Sequence, residues 1–553
     1  QKCKRKRKRQ IVFESSATVN AATMISELFN TMHKARFSGI RIVPENSPSL
    51  QQSCVRAFVE SVLLRSEESE GSERIVQLQF LPATLLTAIL NRMCAYPALR
   101  GVLRDELADP VTFMKLFNGY APDYGTLEKC LREAALCGRP QILKDLANGY
   151  CDMLRTLVLP TLRKHGAYCS ESAPAIMARA LETLKFGAYL CEAGWCRAAV
   201  DVLSVTEELL GLLLLTNQLP AQLTSAHRST HRQLTVKCLV QLLRAQIGAC
   251  LTSKATVTVG KLLSFVDGSV AATDDNNSIS TTLLVKVFLQ LGNYYYHVQD
   301  LDRCHFWALR ALATLDAQAE PGADTSSATT GTGASDSGVG DSDDGHDSDG
   351  ASQLGDVIEV LQLIALFCVA KERHDLGNML ISQAVRRARA HYGSLHRRYA
   401  DVLQHYGFAL LRMNAILPAI TAFTECLDIV GRVYGLLSPH AVVLEGYLAH
   451  CFYLRSHTTG RFDMALRHAD AAIDLARQLM PGSRLVRRQL EATRDLILRG
   501  PDRTLVTKES EPSRERDYRP FTLHEIREKF YELDSSFERE AAVLASPSCG
   551  LAC

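Results

Sequence analysis

Although the 553-residue chain carries 17 cysteines, no CxxC pair occurs among them. Cys191/Cys196 and Cys549/Cys553 lack zinc-ligand spacing with partner histidines, so no metal site and no cofactor is expected. Scattered thiols inside apolar patterns, such as Cys94, Cys130, Cys151, Cys238, Cys368 and Cys451, read as reduced core residues. Long hydrophobic runs are also missing. The longest, around Leu209 to Leu215, falls far short of the roughly 20 residues of a membrane span. Charge of one sign is not in excess either, because the formal net charge is +2, which argues against a global nucleic-acid role. The start, QKCKRKRKRQ, is polybasic without the apolar stretch of a signal peptide, and it does not open on methionine, so a fragment of a longer protein is expected.

Catalytic signatures are equally sparse. VTVGKLLS at 257–264 has Gly-Lys but Ala255 in place of the first P-loop glycine, and Leu262 follows the lysine where Ser or Thr should bind magnesium. His227 and His231 in SAHRSTHRQ lack the glutamate of HExxH, and no GxSxG occurs. The expectation is a protein without an active site of its own.

What the chain does contain is helical periodicity, with apolar residues three and four apart from about Leu78 to Arg499. The expected fold class is all-α. Residues 317–353, AQAEPGADTSSATTGTGASDSGVGDSDDGHDSDGASQ, interrupt it with no aromatic residue, and they read as a disordered acidic insert. Its DSDDGHDSDG piece lacks the flanking helices and terminal glutamate of a calcium loop, while its serines beside aspartates suit acidophilic phosphorylation.

The periodic region is internally repetitive. In LQLGNYYYHVQDLDRCHFWALRAL, Gly292 stands where a helix would prefer alanine by about 1 kcal/mol. Cys304 follows 12 residues later on a second helix. The same step joins Gly187 to Ala199, Ala365 to Gly377 and Gly407 to Ala419. Ala449 and Ala465 make a fifth pair with four extra residues between them. Large residue, Leu-Gly, aromatic, then small residues is the tetratricopeptide pattern, in which small side chains let paired helices cross closely. HYGSLHRRYAD and VYGLLSPHAVV add a 42-residue relation that matches Tyr392 with Tyr434 and Gly393 with Gly435. A superhelical solenoid is therefore expected, with the first repeats at 171–316 and further repeats at 354–499. A basic, poorly ordered extension at 1–77, a helical region at 78–170 and a divergent tail at 500–553, including a helix over 523–540, complete the predicted organisation.

Such solenoids bind peptides on the concave side. With the crossing residue counted as position 8, positions 2, 5, 9, 12 and 13 face the groove. They select Lys286, Asn293, Tyr296 and His297, then Gln404, Phe408, Leu411 and Arg412, and finally His450 and Tyr453. Cations and amides among aromatic rings suit an extended peptide or a carboxylate.

The passages DVIEVLQLIALFCVAKERHDLGNMLISQAV, LLSPHAVVLEGYLAHCFYLRSHTTGRFDMALRHADAAI and FGAYLCEAGWCRAAVDVL carry a more specific likeness. The region 110–480 resembles the amyloid protein-binding protein 2 family of tetratricopeptide proteins, whose repeats are similar to those of kinesin light chains. That resemblance implies a substrate receptor of a cullin-2 RING ubiquitin ligase, docked through elongin B/C and reading C-terminal degron peptides. It equally implies a trafficking adaptor associated with microtubules and with amyloid precursor protein-type tails. The implied locations are cytoplasm and nucleus. Under the first reading, Leu90, Cys94 and Ala98 of QFLPATLLTAILNRMCAYPALR form the candidate elongin box, since their spacing by four would place them on one helical face.

Overall fold

The computed structural model describes residues 49–68, 78–118, 124–160, 172–216, 225–270, 279–319, 348–499 and 525–526. Every regular element among these is helical. They form two compact units. Among the described residues the first runs up to Asp152 together with Val433–Leu437, and the second holds those of Met153–Arg432 and those after Leu437.

In the first unit, α1 (Leu50–Glu68), α2 (Ala83–Met93), α3 (Arg100–Leu107), α4 (Pro110–Asn118), α5 (Gly125–Leu136) and α6 (Ile142–Met153) pack into a small bundle. Val59, Leu86, Leu90, Leu103, Phe113, Phe117, Cys130 and Tyr150 fill its core. Helix α1 lies inside the 1–77 stretch expected to be poorly ordered, so that expectation is corrected for Leu50–Glu68. Residues 1–48, most of 500–553 and the expected 523–540 helix lie outside the described residues apart from 525–526.

The second unit is a stack of six helical hairpins and a closing helix. The pairs are α7 (Ser172–Glu192) with α8 (Cys196–Thr216), α9 (Ser225–Gly248) with α10 (Thr252–Val270), and α11 (Thr281–His297) with α12 (Leu301–Ala319). They continue as α13 (Ser348–Ala370) with α14 (His374–Tyr392), α15 (Arg397–Arg412) with α16 (Ile416–Val433), and α17 (Pro439–Thr459) with α18 (Asp463–Leu479). Helix α19 (Arg484–Arg499) closes the array by burying Ile497 against Ala449, Tyr453, Ala465 and Ala469. The first helices of successive hairpins pack on one another from α7 to α15. Because α12 runs to Ala319 and α13 begins at Ser348, the interruption narrows to 320–347, which lies outside the described residues.

Gly187, Ala199, Gly292, Cys304, Ala365, Gly377, Gly407, Ala419, Ala449 and Ala465 are all buried. A Cβ on Gly187 would lie 2.6 Å from Leu203 Cγ, and one on Gly292 would lie 2.6 Å from Leu363 Cδ2 of the following hairpin. Gly377 meets the backbone itself, with Ala365 O at 3.2 Å. Close approach explains why these helices accept the propensity cost of glycine.

One geometric signature recurs seven residues after each crossing position. Gly194, Cys250, Gln299, Glu372 and Asn414 all take positive φ, from 56° to 82°. The residue before each donates its N–H to the fourth-last helical carbonyl, as Lys371 N–H does to Phe367 O at 3.0 Å, and the residue after each donates to the carbonyl five residues back, as Arg373 does to Cys368 O at 2.8 Å. This left-handed helix cap ends the first helix of five hairpins in the same way. In the sixth, the four extra residues move the cap to Gly460, φ 70°. Only two of the six positions are glycine, so the others hold an L side chain in a disfavoured conformation. Cys250→Gly and Glu372→Gly are each expected to stabilise the chain by about 1 kcal/mol, read as a higher urea midpoint.

Residues 353–370 of α13 are long and apolar enough to cross a membrane, although polar residues such as Gln353, Asp356 and Glu359 break the apolar run. Of that window 72% is buried inside the stack, as a central solenoid helix requires.

Candidate functional site: the inner wall of the hairpin stack

The concave positions of the second unit fall into two groups. The first assembles around Tyr296 and Arg412. Tyr296 is half-buried, and burial raises its phenol although the Arg412 guanidinium, two hairpins along, opposes the rise. Its ring meets that of His297 edge-on at 5.9 Å. His297 keeps contact with solvent, yet the surrounding protein and, secondarily, His405 lower its pKa. Phe408 faces Tyr447 at 6.1 Å, and Tyr447 stacks on Phe423 at 4.9 Å. His450 is half-buried and burial lowers its pKa. Neutral imidazoles, phenols and one exposed guanidinium, Arg412, thus share this part of the wall.

Of the other expected groove residues, Asn293 and Gln404 are half-buried on α11 and α15. Lys286 pairs with Asp356 at 3.9 Å. Tyr453 is corrected: it is 1% exposed, packed on Phe462 and His457 in the core under α19. Phe462, before α18, and Ile497 of α19 cover this position, which an open wall would have left exposed.

The second group was not singled out from the sequence. Glu192, at the end of α7, receives Arg397 Nε at 2.7 Å and Arg398 Nη2 at 3.2 Å from the start of α15. His440 Nε2 of α17 lies 2.8 Å from the Glu192 carbonyl oxygen. Arg244 of α9 reaches Asp401 of α15 at 3.4 Å. The first two hairpins therefore touch the fifth and sixth across the wall. Burial opposes ionisation of Glu192, but Arg397, Arg398 and Arg244 together hold its carboxyl below the usual glutamate range. The Glu192 side chain is only 14% exposed, so these ion pairs are little screened. The positional rule reaches part of this group: Glu192 is at position 13, Arg244 at 9, and Glu359 and Asp401 at 2, while Arg397 and Arg398 precede position 1. Only Arg244 was hidden, because in the second hairpin Leu243 replaces the glycine while Ala255 keeps the 12-residue step.

Asp356 sits beside this group, 5% exposed, with Oδ2 lacking a hydrogen-bond partner among the described residues. Burial pushes its carboxyl up to about 7, against Lys286 and Arg398 and with a further rise from Glu359. A folded pKa raised above the unfolded one means a contribution that is fully present at low pH and lost as pH rises towards 7. Asp356→Asn should therefore stabilise the chain more at about pH 8 than at about pH 5 in urea titrations.

The elongin-box candidate does not present one exposed helical face. Helix α2 ends at Met93, Leu90 is fully buried, and Cys94 is the cap residue turned towards Cys130. Ala98 belongs to a separate 3-10 turn that Pro97 begins. Proline at 97 cannot continue the helix, so the three residues part company. The Gly-Lys of VTVGKLLS likewise lies inside α10 and forms no phosphate loop. Among the described residues no cluster of three or more His, Cys, Asp or Glu could hold a metal ion.

Comparison with known proteins gives a direct likeness. The chain is 34% identical over 142 residues to amyloid protein-binding protein 2 of Rattus norvegicus, and equally to that of Mus musculus. The match covers 26% of this chain and 24% of each relative, so the chain spans about a quarter of the length of the curated relatives it matches. No protein-family model matches. A solved circular tandem repeat protein with novel repeat topology and enhanced subunit contact surfaces aligns at 12% identity and TM-score 0.24, over 87% of this chain and 96% of that one.

Proposed function

We propose that the second unit is a non-catalytic adaptor that holds an extended segment of another protein along its inner wall. The observation that carries this reading is the proximity of Tyr296 to Arg412 and Tyr447 and of Phe408 to Tyr447, which brings side chains of three different hairpins together. Aromatic rings supply apolar area at low entropic cost, and one exposed guanidinium among neutral groups favours a peptide carboxylate, whether a side chain or a C terminus.

Two cellular settings follow from the resemblance. In the first, the bound tail is a degron and the chain is the substrate receptor of a cullin-2 ligase. With Leu90 buried, elongin B/C would have to dock on a surface other than the 90–98 segment. In the second, the chain is a cytoskeleton-associated adaptor for tails of the amyloid precursor protein type, which the amyloid protein-binding name of the relatives favours. A C-terminal peptide library screened against the full chain tests the common reading. Enrichment of a shared C-terminal motif, lost on Arg412→Ala and retained on Arg477→Ala, supports it; no enrichment overturns it. Co-purification with elongin C and cullin-2 then supports the first setting, and tubulin pelleting or tail binding without elongin supports the second.

A further inference from the structure

The first unit contains two thiols whose arrangement the adaptor reading does not use. Cys94 caps α2, its N–H bonded to Leu90 O at 3.1 Å, and its side chain is partly exposed. Its sulfur lies 3.4 Å from Cys130 Sγ, which is fully buried in α5. Two polar ties hold the facing elements in register: Lys129 Nζ donates to Asn91 Oδ1 at 2.9 Å, and Arg100 pairs with Glu133 at 2.7 Å. The hydrogen bond shared with Cys130, together with Lys129 and Arg132, favours a thiolate at Cys94, while burial and Glu133 oppose it. Cys191 and Cys196 of the second unit also share a thiol–thiol hydrogen bond, whereas two other buried cysteines are differently placed. Cys238 Sγ faces Leu203 O and Cys426 Sγ faces Ala400 O, each thiol occupied by a carbonyl and pushed up by burial.

We propose that Cys94 and Cys130 form a hydroperoxide-sensitive dithiol site, with Cys94 as the attacking sulfur and Cys130 as the resolving one. In the first step the Cys94 thiolate attacks the terminal oxygen of a hydroperoxide. An S–O bond forms, the O–O bond breaks, and the departing alkoxide or hydroxide takes a proton as alcohol or water. In the second step the Cys130 sulfur attacks the sulfenic sulfur of Cys94. The S–S bond forms, the S–O bond breaks, and hydroxide leaves with the Cys130 proton as water. Two thiols and one hydroperoxide thus give one disulfide, one alcohol or water, and one further water. Cys94 can make the small approach required because it stands between α2 and the Pro97 turn, outside either helix interior. The product ties the end of α2 covalently to α5.

The test treats the full, reduced chain with hydrogen peroxide, blocks remaining thiols, and maps tryptic peptides by mass spectrometry without reductant. The expected result is a Cys94–Cys130 linked peptide, reversed by dithiothreitol, with Cys94 consumed about ten-fold faster than Cys238 or Cys426. Cys130→Ser should leave a Cys94 sulfenic acid that dimedone captures, and Cys94→Ser should leave Cys130 unmodified. If Cys238 and Cys426 oxidise at the same peroxide dose without the linked peptide, the proposal fails. That outcome is read on the unsubstituted chain, so it does not depend on whether either serine variant folds.

Discussion

Gly407→Ala is expected to destabilise the chain by about 2–3 kcal/mol, among the largest effects of any single methyl group in the second unit. The added carbon would stand 2.7, 2.8 and 2.9 Å from Cε1, Cδ1 and Cζ of Phe423. An aliphatic neighbour could rotate away, but this ring is fully buried and stacked on Tyr447 with planes 10° apart. Displacing it must shift Tyr447, and through it the face that Phe408 meets at 6.1 Å. Urea denaturation should record the stability loss, and peptide affinity should fall with it. Gly260→Ala is the control. It lies in α10 with nothing within 4 Å of the added carbon, so helix propensity alone operates and a gain of about 1 kcal/mol is expected. A loss at Gly260 equal to that at Gly407 would refute the steric account.

Glu192→Ala is expected to cost about 3 kcal/mol, because it strands Arg397 in a nearly dry site; the Arg397 side chain is itself only 14% exposed. A double-mutant cycle with Arg397→Ala should return a coupling of about 1–3 kcal/mol. The pH dependence has a definite sign. The folded carboxyl titrates below the reference value of 4.5, so its stabilisation is intact above that value and lost as pH falls through the lower folded pKa. Glu192→Gln should flatten the acid limb of the stability profile. An unchanged limb together with a coupling near zero would show that the pairs contribute nothing to folding.

The elements of this fold were legible in the sequence to the extent that sterics wrote them there. Five crossing pairs, the four-residue extension before Gly460 and the matched Tyr-Gly at 392–393 and 434–435 all rest on backbone approach or positive φ, which glycine and alanine advertise. The hairpin of α9 and α10 was not legible because Leu243 fills its crossing and Cys250 its left-handed cap. A bulky residue at the first and a thiol at the second give no glycine signal. For the candidate site, position numbers select Tyr296, Phe408 and Arg412, which the structure leaves partly or fully exposed, since helical phase alone decides which way they face. They misplaced Tyr453, whose burial depends on a later helix, and they could not show that Glu192 meets Arg397, a contact 205 residues apart in sequence. Leu90 failed for a related reason: its spacing described a helix that Pro97 does not allow to continue.

The contacts at Glu192 also change how the stack should come apart. A linear array held only by neighbours can fray hairpin by hairpin from either end. Here the first hairpin cannot melt without releasing the fifth and sixth, so thermal unfolding gains the cooperativity of a fastened ring, and loosening Glu192 should restore gradual loss from the N-terminal side.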